Sequence, residues 1–139
     1  MTKLLLSVHV IAAILAVGPI AVAASLFPRF ARESPTGTAV FLHRTCRTYT
    51  VVGVAVPVFG VATGASLGVL GDAWLLVSVL LTAVAAGLLA LAILPAQRRM
   101  LDGATALGKR LAMTTGVFNL LWAVVVVLMI VRPGSTTGA

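Results

Sequence analysis

The stretch AWLLVSVLLTAVAAGLLALAILPAQRR, residues 73–99, runs from Ala73 to Gln97 without an acid or a cation, then stops at Arg98 and Arg99. A helix needs about 20 apolar residues to cross a hydrocarbon core. The run shows no alternation of period two, so it does not read as a barrel strand. A lone strand in lipid would leave its backbone groups unpaired, whereas a helix satisfies them internally. The stretch therefore reads as a spanning helix that ends at a charged surface.

Three further runs share its character: Leu4 to Phe27, Thr48 to Leu70, and Leu111 to Val131. Across all four, the sole acidic, basic or imidazole side chain is His9. The 139 residues are 60% hydrophobic and 9% charged, with a mean hydropathy of +1.15. A soluble domain carries about a quarter of its residues as Asp, Glu, Lys and Arg, so this chain has too few to cover a water-exposed core. An ordinary soluble enzyme, a disordered tail and a disulfide scaffold are excluded. Cys46 stands alone, so there is neither an internal disulfide nor a multi-cysteine metal site. The expected fold is a single all-α integral membrane domain over residues 1–139, a four-helix bundle with spans 4–27, 48–70, 73–97 and 111–131.

The net charge is +7, and its placement sets the expected orientation. Arg29, Arg32, Arg44 and Arg47 lie between spans one and two; Arg98, Arg99, Lys109 and Arg110 lie between spans three and four. Lys3 and Arg132 are the only cations at the other side. The positive-inside rule then places both long connections in the cytoplasm and both termini outside. The run Ala21-Val22-Ala23 has the look of a signal cleavage site, yet cleavage would deliver Arg29 to Arg47 outside, against this bias. His43, Arg44, Arg47, Arg98, Arg99, Lys109 and Arg110 read as a basic face for lipid headgroups or an anion. Nucleic acid is not an expected partner, since no soluble part is large enough to present a base-reading surface.

The halves echo each other. Pro28-Arg29 and Arg32 are matched at an offset of 67 by Pro95-Ala96 and Arg99, while His43-Arg44 is matched at 66 by Lys109-Arg110. The expectation is two tandem parallel helical hairpins. Gly71 and Asp72 form a short connection that makes spans two and three antiparallel neighbours, Gly71 as a left-handed helix end and Asp72 as a helix start. Thr36 or Thr38 after Pro35, and Asp102, read as starts of helical stems leading into spans two and four.

Gly60, Gly64 and Gly68 fall on one face of span two, a spacing that lets helix backbones approach closely. The ridge serves packing within the bundle or contact with another membrane protein or a second copy; internal packing is preferred. Pro19 and Pro57 each remove a backbone hydrogen bond within a span and should bend it. No Asp, Glu, Lys or Arg lies within the spans, which argues against a proton- or cation-coupled transporter. The three acids, Glu33, Asp72 and Asp102, all fall in connections, so hydrolytic or general acid–base catalysis is not expected.

His9 is the one candidate for intramembrane chemistry, either as a haem ligand or as a hydrogen-bonded packing histidine. His43 is expected about a full core thickness away, so the two cannot hold one iron. Met129 lies at a depth comparable to His9 and is the candidate thioether partner, with plain packing as its other reading.

Val8-His9-Val10, followed by an apolar run to Gly18-Pro19, resembles the first helix of a loose group of small four-span bacterial membrane proteins. The group includes an uncharacterised integral membrane family, with copper-resistance-D-like and haem-binding protoporphyrinogen-oxidase-like proteins as distant cousins. Gly18 matches the first of the group's small positions, Pro19 stands at the second and Ala16 at the place of its Trp. The His43-Arg44 pair is also similar. The resemblance implies a bacterial plasma-membrane protein with a haem or redox link through His9. Three functional readings stay open: a non-catalytic accessory or interaction protein, a haem-binding redox protein, and a small transporter. The first is preferred, because one histidine alone is little on which to found a cofactor.

Overall fold

A computed structural model describes residues 2–33 and 37–133, the side chains at 32 and 33 excepted. Thr36, one of the two expected helix starts, lies outside the described residues. The elements are α1 (Thr2–Glu33), α2 (Gly37–Val52), α3 (Ala55–Leu67), α4 (Ala73–Leu88), a π turn (Leu89–Ile93), α5 (Leu94–Leu101), a 3-10 turn (Thr105–Leu107) and α6 (Gly108–Val131). No strand occurs among the described residues. They build four helical rods, Thr2–Ala31, Gly37–Leu67, Ala73–Leu101 and Thr105–Val131, each long and apolar enough to cross a membrane.

The breaks inside the rods follow the prolines. Pro57 has no N–H for the Gly53 carbonyl, and its ring crowds that carbonyl. Gly53 O instead accepts from Val56 N at 3.0 Å, and the helix is interrupted between α2 and α3. Pro95 lies just beyond the π turn, whose wider ring gives a proline room. Pro19 and Pro28, by contrast, sit within an unbroken α1.

Two helix ends differ from expectation. Gly68, not Gly71, takes the left-handed conformation (φ 71°) that ends α3, so the rod stops at Leu67. Val69 N then bonds Gly64 O at 3.0 Å and closes the turn. Asp102 ends α5 rather than starting a stem: its N–H bonds back to Arg98 and Arg99 carbonyls, and α6 begins only at Gly108. Asp72 does precede α4, but its carboxylate accepts the Trp74 indole N–H at 3.1 Å instead of capping the helix.

Packing pairs α1 with α2 and α3, and α4 with α6, while α1 also lies along α6. The α1 face is a stripe of small and apolar residues at helical spacing, Ala16, Ile20, Ala23, Ala24, Phe27 and Ala31, all buried. Alanines let neighbouring backbones come close, which is how helices associate where the solvent is itself apolar. Most of the core gathers at the end carrying the α1–α2 and α5–α6 connections, around Phe27, Cys46, Ile93, Met100 and Leu111. A small second cluster, Val69, Trp74 and Leu75, closes the opposite, terminal end. α3 and α4 touch sparingly despite their short connection. They stand on either side of a hollow instead of packing along their length.

Candidate functional site

Between the two packed ends lies a cavity of about 650 Å³ with walls from all four rods. His9 and Gly18 come from α1, Gly60 from α3, Thr82 from α4, and Trp122 and Met129 from α6. A smaller hollow of about 300 Å³ toward the terminal end shares His9, Gly60 and Met129 and is bounded by Trp74 and Arg132. Arg132 lies over the Trp74 ring, 6.0 Å from its centre. Most of the larger cavity's wall is aliphatic. A largely apolar hollow of this size, partly open to its surroundings, suits an apolar guest; a closed one of roughly 150 Å³ already accommodates benzene.

His9 is buried, and its Nδ1 lies 2.8 Å from the Val56 carbonyl oxygen. A carbonyl can only accept, so Nδ1 carries the hydrogen. In the tautomer that this contact selects, with the hydrogen on Nδ1, Nε2 presents a lone pair, which has no hydrogen-bond partner among the described residues.

Gly60 is what lets the imidazole lie there. A methyl group at 60 would come within 2.8 Å of His9 Cε1 and 3.1 Å of Nδ1. The first-helix histidine and the glycine ridge, separate features in the sequence, are thus two halves of one contact. Gly64 is equally tight, where a Cβ would meet Leu75 Cδ2 at 2.9 Å and Leu70 Cδ2 at 3.2 Å. These two ridge positions are occupied within the chain. Gly68 leaves the ridge, since it serves as the helix end and its Cβ would meet nothing within 4 Å.

The remaining polar groups on the cavity wall have their hydrogens engaged. Thr82 Oγ1 donates to Ser78 O at 2.7 Å, and Trp122 Nε1 points to Asn119 Oδ1 at 3.4 Å. Asn119 in turn donates to Ser25 Oγ at 3.0 Å, tying α6 to α1. Met129 shares a wall with His9 in both hollows.

At the other end His43 turns inward. Its Nδ1 lies 2.9 Å from Gln97 Oε1, and its ring centre is 6.3 Å from that of Phe27. Gln97 Nε2 reaches Cys46 Sγ at 3.6 Å, and both residues are fully buried. His9 and Phe27 are separated by about 27 Å of helix at 1.5 Å per residue, so the two histidines occupy opposite ends of the bundle. Arg44, Arg47, Arg98, Arg99, Lys109 and Arg110 are all exposed at the His43 end, and His43 itself is half-buried behind them. Gln97 escaped the sequence reading; its signal was a lone amide closing an otherwise apolar run.

Among the described residues no three His, Cys, Asp or Glu side chains gather as a metal site. No family model matches the chain. No curated protein and no solved structure matches it significantly.

Proposed function

We propose that this chain is a non-catalytic protein of the bacterial cytoplasmic membrane that binds an apolar molecule between its spans. The observation that carries the reading is the cavity itself, aliphatic on most of its wall, with the His9 imidazole on that wall and its Nδ1 held by Val56 O. Ligand sites in helix bundles have this form: mostly apolar walls and very few polar groups that fix orientation. Because Gly60 and Gly64 face their own chain, docking through the ridge has less support than binding in the hollow. Native mass spectrometry of protein released gently from its own membrane tests the proposal. It should show a discrete small-molecule adduct that Gly18→Phe abolishes; bare protein, or an adduct unaffected by that substitution, would count against it.

The topology belongs to the same proposal. The exposed cations at one end, with two cations at the other, support tandem parallel hairpins with both termini outside and a basic face against cytoplasmic headgroups. A fluorescent protein fused after Ala139 should then stay dark on the outer side, while a bright fusion would reverse the assignment.

A second reading is favoured by one feature. A histidine whose Nδ1–H is held by a backbone carbonyl has the orientation typical of metal-bound imidazoles. His9 Nε2 would hold a haem iron, with Met129 on the same wall, and the haem would supply one-electron redox chemistry. A Soret band lost in His9→Ala would establish this reading, and a colourless protein from haem-replete cells would retire it.

A further inference from the structure

The hydrogen-bonding sense of the cavity narrows the class of guest, on the footing that the proposed cavity binding holds. No polar side chain on the wall has a hydrogen free for the cavity: each is an acceptor, or a donor whose hydrogen is directed elsewhere. His9 Nδ1–H goes to Val56 O, leaving Nε2 as a lone pair. Thr82 gives its hydrogen to Ser78 O and shows the cavity only oxygen lone pairs. The Trp122 N–H is turned to Asn119, and Met129 offers a thioether, a weak acceptor. Gly18 adds no polar side chain, and a Cβ there would meet nothing within 4 Å.

A carbonyl, ester or ether oxygen entering this space would find lone pairs facing lone pairs and would lose its bonds to water. A hydroxyl would find an acceptor. A bare cation finds too little: no carboxylate or thiolate shares the wall, and the space far exceeds that of one ion. We infer that the guest is an apolar molecule bearing a hydrogen-bond donor, an aliphatic or aromatic alcohol that donates to His9 Nε2. Its entry lies between α3 and α4, the two rods that line the cavity yet touch sparingly, so it arrives sideways from the bilayer.

The test uses the full chain carrying Trp74→Phe, so that Trp122 in the cavity wall is the sole tryptophan. It is reconstituted in lipid nanodiscs and titrated with 11-bromoundecan-1-ol or with its methyl ether, bromine quenching Trp122 on contact. The alcohol should quench saturably, with half-saturation about five- to tenfold lower than the ether, the ratio one net hydrogen bond supplies. His9→Phe keeps a ring in place without the lone pair and should bring that ratio close to one. Equal affinities in the unsubstituted cavity, a tighter ether, or an alcohol preference that survives His9→Phe would overturn the inference while leaving cavity binding intact. Quenching that never saturates with either probe, and is unchanged by Gly18→Phe, would instead remove the cavity reading beneath it.

Discussion

Gly60→Ala tests the contact on which the site is built. The added methyl would sit 2.8 Å from His9 Cε1, whereas carbon atoms rest about 3.5–4.0 Å apart. The imidazole must retreat by about 0.7 Å or more. Its bond to Val56 O is 2.8 Å long, and such bonds weaken beyond about 3.2 Å, so the retreat exceeds the slack and the bond is lost. Overpacking costs about 1–3 kcal/mol and the lost bond about 1 kcal/mol. Alanine's better helix propensity returns up to about 1 kcal/mol. The expected net loss is about 1–3 kcal/mol. Gly116→Ala is the control: it lies mid-α6, a Cβ there meets nothing within 4 Å, and it should be neutral or slightly stabilising. Reversible unfolding in mixed micelles compares them, and a double-mutant cycle with His9→Ala should show the Gly60→Ala penalty shrinking once the ring is gone. A Gly60→Ala protein as stable as Gly116→Ala, or strict additivity with His9→Ala, would refute the reasoning.

Three other outcomes follow from the packed ends. Gln97→Ala leaves His43 facing a void and should cost about 1–3 kcal/mol; Cys46, fully buried in the parent, should then react with a maleimide markedly faster. Phe27→Ala should cost about 3–5 kcal/mol and sharply reduce the folded fraction in fluorescence-detected gel filtration, whereas Leu91→Ala, at a side chain 82% exposed, should change little. Trp74→Phe removes the donor to Asp72 and leaves a smaller ring beneath Arg132, and should lower Tm by the equivalent of about 1 kcal/mol, with Asp72→Asn lowering it less.

How much of this could be read from the chain differs by level. Four rods were legible because the uncharged runs are long and apolar enough to span a membrane, and in such a run a helix satisfies its own backbone. Their ends were less so: Gly68 and Gly71 are equally able to adopt a positive φ, and only the turn that Val69 closes with Gly64 selects the first. Asp72 looked like a helix cap, but a tryptophan two residues on competes for its carboxylate. His9 and Gly60 each stood out alone, yet their meeting depends on the register between two rods, which no local pattern specifies. The cavity was illegible for the same reason, since a hollow is made by how helices stand apart. The alanine stripe of α1, the largest packing feature, is quiet in sequence because alanine is common in every helix.

Photoaffinity mapping tests the central claim most directly, that the four rods line a binding cavity beside His9. A long-chain alcohol carrying an alkyl diazirine is added to native membranes, irradiated, and its adducts placed by mass spectrometry. Adducts should concentrate on cavity-lining positions such as Val17, Gly18, Val61 and Ala83, and be competed by excess unlabelled alcohol. Labelling spread over outward positions such as Leu80, Leu91 and Leu120, with none in the cavity and no competition, would contradict the account.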